Sequence, residues 1–236
     1  MYLARAYLNP ASRAVRLDLA NPTSLHRTVM RAFPDGDCRE ARKHHGVLHR
    51  LDEDARRGRF VLLLQSGTRP DLARLPEGYF LDLQDDFELA GSGAENPALR
   101  KVGEERAHIA AGDRFGFRLR ANTTRKILTK SLADGTKKNG KRVPVRGDDG
   151  RLGWLERHAH AGGFALVDVR VSEVSPQSGG RGSARITLAG AQFEGLLVVR
   201  DPPLFRGALG RGIGPGKAYG YGLLSITPKK GGLAQS

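Results

Sequence analysis

The alternation of apolar and polar residues in the first part of the chain predicts three strands around helical segments. Residues 2–8 form a predicted strand that ends at the turn-forming residues 9–13. Further strands are predicted over residues 44–50 and 59–65, joined by a charged loop. The second of these is apolar enough to be a central strand.

A helix is predicted over residues 23–33, between the first two strands. Asn21 is a good N-cap, and Pro22 suits the first helical position. Apolar side chains then recur at helical spacing, which predicts a stripe facing a core: Leu25, Val29, Ala32 and Phe33. A short helix near residues 70–75 and a strand near 79–83 would complete a β-α-β-β-α-β ferredoxin-like unit.

The second part of the chain predicts a similar unit. The acidic stretch of residues 85–105 is rich in Gly, Ala and Pro and is interpreted as a linker, with a boundary near residue 95. The predicted elements after it are a strand at 113–120, a helix with Leu152, Trp154, Leu155 and His158, strands at 164–171, 184–188 and 192–199, a linker at 178–183, a helix at 203–209 and a strand at 219–226. The predicted fold class is therefore α+β, with two tandem ferredoxin-like domains at residues 1–95 and 96–236.

Charge points to a polyanionic partner. The 236 residues include 39 Lys and Arg against 25 Asp and Glu, giving a formal net charge of +14. Cys38 is the single cysteine, so an intrachain disulfide and a cysteine-rich zinc site are excluded. No secretory signal is recognisable, and the longest apolar runs are far shorter than the ~20 residues of a membrane span. A soluble cytoplasmic protein is the expectation.

Much of this charge is concentrated in residues 118–146, which we call the basic segment. It contains ten basic residues and one acid, Asp134. Ordinary surfaces mix the two signs, so this density predicts contact with nucleic acid, and a solvated charged hairpin is the alternative. Aromatic residues are scarce in it, which favours the phosphates of a duplex over stacking on single-stranded bases. The residues proposed for RNA contact are Arg118, Arg120, Lys126, Lys130, Lys137, Lys138, Lys141 and Arg142.

Residues 210–217, which we call the glycine loop, offer a second place for phosphates. Exposed backbone N–H groups could cradle a phosphate there, with Arg211 and Lys217 adding positive charge. The loop does not match a nucleoside triphosphate motif, because Arg211 and Ala218 stand where Gly and Ser or Thr are required. A flexible connection between a helix and a strand is the alternative.

The seven histidines carry no recognisable metal motif. His44, His45 and His49 cluster around one predicted strand, and we interpret them as surface or structural residues. His26 differs by its context, since it lies in the first turns of the predicted helix, beside Arg27 and ahead of Arg31. A polyanion that binds these arginines would meet an imidazole, although a structural histidine is the alternative.

Taken together, these segments resemble the CasE family, the CRISPR repeat-processing endoribonucleases of type I-E systems. The resemblance spans nearly the whole chain, and its strength lies in the order and spacing of motifs that are weak alone. They are MYL at residues 1–3, LHR at 25–27, VLLLQS at 61–66, FRLRAN at 117–122, GKRVPV at 140–145, WL at 154–155, FEG at 193–195, GIGPGKA at 212–218 and GLLS at 222–225.

The resemblance implies tandem ferredoxin-like domains and metal-independent cleavage at the 3′ base of the repeat hairpin, without a cofactor. It also implies partners: the CRISPR repeat RNA hairpin, the mature crRNA retained after cleavage, and other Cascade subunits. His26 corresponds to the family's catalytic histidine, and Arg31 matches its basic residue five positions later. Thr23 stands where the compared members have a tyrosine, so His26 would carry more of the catalysis, or Ser24, Thr23 or a lysine would supply the missing group.

Cleavage of this kind uses the 2′-hydroxyl as nucleophile and leaves a 2′,3′-cyclic phosphate and a 5′-hydroxyl. A neutral imidazole can act as general base or general acid near neutral pH, and the sequence leaves both roles open for His26. A noncatalytic protein that binds a structured RNA within an assembly is the alternative function. A metal-dependent nuclease is disfavoured because the sequence lacks clustered carboxylates.

Overall fold

The structure is a computed structural model that describes residues 1–36, 38, 40–54, 58–86, 88–89, 91–127, 142–181 and 184–228. The elements of the first half are β1 (Tyr2–Leu8), α1 (Arg13–Ala20), α2 (Pro22–Met30), α3 (Ala41–His44), β2 (Leu48–Asp54), β3 (Arg59–Ser66) and β4 (Ala98–Lys101). Two 3-10 helices, Leu72–Arg74 and Leu83–Asp85, lie between β3 and β4. The strands form an antiparallel sheet in the order β2-β3-β1-β4.

The second half has its own antiparallel sheet, in the order β10-β5-β9-β8. Its elements are α4 (Gly103–Ala107), β5 (Arg114–Ala121), β6 (Thr124–Lys126), β7 (Arg142–Pro144), α5 (Asp148–Ala161), β8 (Phe164–Arg181), β9 (Ala184–Val199), α6 (Pro202–Arg211), the 3-10 helix Lys217–Tyr219 and β10 (Leu224–Pro228). Read from the opposite edge, this order matches that of the first sheet strand for strand. The prediction of two tandem ferredoxin-like domains is confirmed.

Each sheet packs one face against helices to form a separate core. In the first core, the predicted stripe of α2 is buried as expected, with Leu25, Val29, Ala32 and Phe33 all below 5% exposed. In the second core, Phe115, Phe117 and Leu119 alternate along β5 and pack with helix α5 and helix α6. Among the described residues, no helix is long and apolar enough to cross a membrane.

Two predictions in the first half are wrong. Residues 79–83 do not form a strand, because their backbone meets the end of β1 only at an isolated bridge between Leu8 and Phe80. The Tyr79 hydroxyl also ties this segment to α1, since it donates to Asp18 Oδ2 at 2.8 Å. Strand β4, from within the stretch interpreted as a linker, pairs with residues 2–5 of β1. Helix α1 was also absent from the sequence prediction. The boundary near residue 95 stays a prediction.

In the second half, the strands predicted at 184–188 and 192–199 are one continuous strand, β9. The linker predicted at 178–183 is wrong for residues 178–181, which continue β8 in a long hairpin with β9. The last strand begins at Leu224 rather than at Tyr219, because residues 217–219 form the 3-10 helix. These segments pair through contacts that no local sequence pattern specifies.

The two halves meet along β2, where a buried arginine joins them. Arg50 is 2% exposed and forms a two-pronged ion pair with Asp52, at 2.8 and 2.9 Å. Its Nη1 also donates to the carbonyl of Arg118 at 3.2 Å and to Ser225 Oγ at 3.0 Å. Farther along the interface, Gln65 Nε2 donates to the carbonyl of Leu209 at 2.8 Å. These bonds hold the end of α6, and the glycine loop after it, beside the first half.

Candidate active site

Helix α2 presents His26 at the junction of the two halves. The helix begins as the sequence predicts: the Asn21 side chain accepts a hydrogen bond from the Thr23 N–H at 2.9 Å, and Pro22 takes the first position. Because Leu25 and Val29 anchor the buried side of the helix, His26 lies on its flank and is half-buried. The helix thus fixes the imidazole at the boundary between the core and the surface.

The ring of His26 lies parallel to the ring of His49, which comes from β2. The ring centroids are 6.1 Å apart and the planes differ by 13°. Nδ1 of His26 is buried and has no hydrogen-bond partner among the described residues, which leaves Nε2 as the nitrogen that can meet a ligand. Burial, followed by the positive charge of Arg42, lowers the pKa of His26 from 6.5 to about 4. The imidazole is therefore uncharged at neutral pH.

Arg42 is a site residue that the sequence analysis missed. It lies on α3, is half-buried, and donates from Nη1 to the carbonyl of Val47 at 3.1 Å, just before β2. Its charge lowers the pKa of His26, of His49 and of Lys217, so its guanidinium lies near all three. No motif surrounds Arg42 in the sequence. One indication of its role was present in the sequence, which is that Arg42 lies shortly before the strand that carries His49.

The glycine loop and the short helix after it lie against the same two elements, α2 and β2. After helix α6 the backbone turns at Gly212, whose φ of 72° favours glycine. A Cβ at Gly212 would lie 2.9 Å from the methyl groups of Leu48 on β2, so glycine also permits this close approach. The 3-10 helix Lys217–Tyr219 follows and packs against α2 and β2. The loop thus carries Lys217 to the site.

Both cations predicted in the glycine loop lie near the site. Burial, followed by the charges of Arg42 and Arg211, lowers the pKa of Lys217. Lys217 is half-buried, whereas Arg211 is exposed at the end of α6 and its guanidinium folds back over Gly207. Arg42 therefore acts on both His26 and Lys217, and Arg211 acts on Lys217, so positive charge is concentrated on the side of the site that carries Arg42 and can attract a phosphate.

Arg118 and Arg120 on β5 turn toward the first half of the chain. Arg118 forms ion pairs with Glu194 at 2.5 Å and with Asp52 at 3.5 Å. Burial lowers the pKa of Arg120, and its Nε is buried without a hydrogen-bond partner among the described residues. The positive charge on this face of β5 is therefore partly neutralised by acidic residues and partly buried. The alternating sequence pattern does not predict this, because it carries no information about partners distant in sequence.

The remaining predicted RNA contacts divide into exposed residues and residues that cannot be placed. Among the RNA contacts, Arg27 is exposed on α2, and Lys126 and Arg142 are exposed on the paired strands β6 and β7. Arg31, predicted as a catalytic residue with His26, is exposed at the end of α2, and its catalytic role stays a prediction. Within the described part of the chain, Arg27 and Arg31 form no ion pair. The other four predicted residues lie outside the described residues: Lys130, Lys137, Lys138 and Lys141.

The groups proposed to replace the family tyrosine are Thr23, Ser24 and a lysine, and the structure offers Lys217 as the lysine. The hydroxyl of Thr23 is buried and has no partner in the described ranges. Ser24 is half-buried on the next position of α2. Lys217, in contrast, reaches the site from the other half of the chain.

Of the other histidines in the predicted cluster, His44 is exposed and His45 is structural. His45 Nδ1 and Nε2 lie 2.9 Å from Thr68 Oγ1 and 3.0 Å from the carbonyl of Pro34, and the ring stacks on Phe33. Among the described residues, no three or more His, Cys, Asp or Glu side chains are grouped so that they could hold a metal ion. The site is instead a neutral imidazole beside positive side chains, which is suited to proton transfer at a bound phosphate.

Comparison with known proteins places this geometry in context. The chain matches, over residues 1–228, the family model described as CRISPR associated protein. It is 35% identical over 240 residues to the CRISPR-associated endoribonuclease Cse3 of Thermus thermophilus, covering 97% of this chain and 100% of that protein. It is 34% identical over 175 residues to the CRISPR system Cascade subunit CasE of Escherichia coli, covering 68% of this chain and 85% of that protein.

A solved structure gives the same result for the fold. Thermus thermophilus Cse3 bound to an RNA representing a pre-cleavage complex is similar with a TM-score of 0.70 and 33% identity, covering 96% of this chain and 98% of that chain.

Proposed function

Since this chain belongs to the family of CRISPR-associated proteins that includes Cse3 and CasE, we propose that it is an endoribonuclease that cuts CRISPR repeat RNA at the 3′ base of its hairpin. The 2′-hydroxyl attacks the adjacent phosphorus, and the bond from phosphorus to the 5′-oxygen breaks. The products end in a 2′,3′-cyclic phosphate and a 5′-hydroxyl. The protein retains the mature crRNA and joins other Cascade subunits.

The observation that carries this proposal is the grouping of His26 with Arg42 and Lys217. Cleavage requires a base at the 2′-oxygen, positive charge near the nonbridging oxygens and a proton for the leaving 5′-oxygen. The three side chains come from α2, α3 and the glycine loop, and they supply a proton acceptor and two cations at one place. The relative that aligns with 97% of this chain is named an endoribonuclease, in agreement with this chemistry.

Within this mechanism we assign His26 the role of general base. Its lowered pKa, about 4, keeps the imidazole neutral in the free protein, and only a neutral imidazole can accept the proton of the 2′-hydroxyl. Arg42 and Lys217 stabilise the charge that develops on the phosphate oxygens. Lys217, whose pKa is lowered, or a water molecule returns a proton to the 5′-oxygen.

The hairpin itself is bound mainly through its phosphates. A duplex RNA hides its base edges in a deep and narrow major groove, so a basic segment next to it recognises shape and phosphate spacing. Lys126 and Arg142 of this segment are exposed and lie opposite each other on the paired strands β6 and β7. Arg27 on α2 and Arg31 at its end are exposed cations that can hold further phosphates.

Cleavage of a cognate repeat RNA in excess EDTA tests the proposed reaction. We expect undiminished cutting at one phosphodiester, because His26, Arg42 and Lys217 provide the chemistry from side chains. A denaturing gel gives the cleavage, and end-group analysis should find a cyclic phosphate. RNA that is bound but intact with and without Mg²⁺ would support the noncatalytic alternative, and cutting that EDTA abolishes would support a metal-dependent nuclease.

A second expected result concerns the glycine loop. Lys217→Ala combined with Arg211→Ala should weaken binding of a repeat RNA that carries a 2′-deoxynucleotide at the cleavage site, since two cations near the phosphates are lost. If each neutralises one phosphate, the slope of log K against log salt should fall in magnitude by about 1.5. Filter binding at several salt concentrations measures it.

The matched control removes the same charge from exposed positions on other surfaces, with Lys101→Ala and Arg200→Ala. It should leave the salt slope nearly unchanged. An equal loss of slope in both double variants would show that overall charge, rather than the glycine loop, determines affinity.

A further inference from the structure

His49 is a buried flat ring next to the site. Its side chain is fully buried, and neither ring nitrogen has a hydrogen-bond partner among the described residues. A buried polar atom without a partner is unfavourable, so these nitrogens do not stabilise the fold, and the flat ring is the part of His49 that can act on a neighbour. His45 differs, because it is also buried but both of its ring nitrogens have hydrogen-bond partners.

The surroundings of His49 hold its ring in place from several sides. Along β2, Leu48 and Arg50 face the second half of the chain, where Leu48 meets Gly212 and Arg50 binds the carbonyl of Arg118. His49 therefore faces α2, and its ring lies parallel to that of His26 at 6.1 Å. On another side the backbone of Gly220 approaches, since a Cβ there would lie 3.8 Å from Cδ2 and Nε2 of His49.

We propose that His49 is a positioning residue for His26, whose buried ring supports the His26 imidazole in the orientation that turns Nε2 toward the RNA. Parallel, offset rings with centroids 4.5–7 Å apart attract each other, and the observed geometry falls within this range. His49 belongs to β2 and also lies against Gly220, which follows the glycine loop, so its ring is held in place. The fixed ring in turn restricts the orientation of the His26 ring. The inference rests on the proposed function, with His26 as the base.

Burial also keeps His49 from competing for the proton. Burial, then the charges of His26 and Arg42, lowers the pKa of His49 to about 3, so the ring is neutral wherever the protein is folded near neutral pH. A neutral ring does not repel the imidazolium that forms when His26 accepts the proton of the 2′-hydroxyl. Lys or Arg at position 49 would repel it.

Two substitutions distinguish positioning from mere filling of space. His49→Leu removes the flat ring, and a displacement of about 1 Å at a reacting group can lower a rate by about 10²-fold, so we expect a loss of at least about tenfold in single-turnover cleavage. His49→Phe keeps a flat ring and should cleave within about threefold of the wild type.

Both variants should bind the 2′-deoxy repeat RNA as the wild type does. His45→Leu, at a buried histidine outside the site, is the control and should cleave normally.

The double variant shows whether His49 acts through His26. His49→Leu added to His26→Ala should cause no further loss of residual cleavage, because the supported group is already gone. Equal loss in both backgrounds, or full activity of His49→Leu, would overturn the inference. If His26→Ala itself cleaves normally, the proposed function fails and not the positioning role alone.

The wild-type protein provides a check that does not depend on how a variant folds. Nuclear Overhauser contacts between the ring protons of His26 and His49 should persist when the 2′-deoxy repeat RNA is bound. Loss of these contacts on binding would overturn the inference.

Discussion

Replacing His26 with alanine should lower single-turnover cleavage of repeat RNA by about 10²- to 10⁴-fold, the usual contribution of a general base. Binding of the 2′-deoxy repeat RNA should change only slightly, because one neutral side chain contributes little to an interface that consists mainly of phosphate contacts. The cleavage rate from a gel time course and the affinity from filter binding separate the two effects. His160→Ala, at an exposed histidine on α5, is the matched control and should cleave as the wild type does.

A variant that still cuts at half the wild-type rate would move the base to another residue, and parallel loss of binding would make His26 a binding residue. The pH dependence adds an independent measurement. With a pKa of about 4, His26 remains neutral from pH 8 to pH 5.5, so kcat/KM should stay nearly level over this range. A base with the ordinary pKa of about 6.5 would lose roughly tenfold by pH 5.5.

Replacing Asp52 with alanine should lower the free energy of unfolding by about 3 kcal/mol, because it leaves the charge of Arg50 buried without its partner. Arg50 is 2% exposed, and the same carboxylate also pairs with Arg118 at 3.5 Å. Its loss therefore affects both sides of the junction between the two halves. Urea unfolding followed by circular dichroism measures the change.

Asp148 offers the matched control, since it forms an ion pair with Arg151 but is 73% exposed. Asp148→Ala should change the free energy of unfolding by no more than about 1 kcal/mol, as exposed ion pairs contribute little. Equal effects of the two substitutions would mean that Arg50 finds another partner when Asp52 is absent.

Local signals in the sequence were sufficient for the elements that begin or end by local chemistry. Helix α2 was predictable because its cap at Asn21, its proline at position 22 and its apolar stripe all act within a few residues of one another. The apolar alternation of β5 was predictable for the same reason. The common strand order of the two sheets then agrees with the fold that the order of these elements predicted.

Partners that are distant in sequence were not predictable in this way. Residues 79–83 have the composition of a strand, yet they meet β1 only at the isolated bridge between Leu8 and Phe80, whereas residues 98–101 pair with β1 as a regular strand. Which of two segments takes a sheet edge depends on long-range contacts, and a local pattern carries no information about them.

The candidate site divides in the same manner. His26 and Lys217 could be singled out from the sequence, because a histidine in the first turns of a capped helix and a lysine after closely spaced glycines are local features. Arg42 and His49 acquire their roles only through tertiary packing, which brings α3 and β2 against α2 and the glycine loop. Proximity of this kind also sets the electrostatics, since burial and neighbouring charges determine the pKa of His26 and are properties of the folded chain.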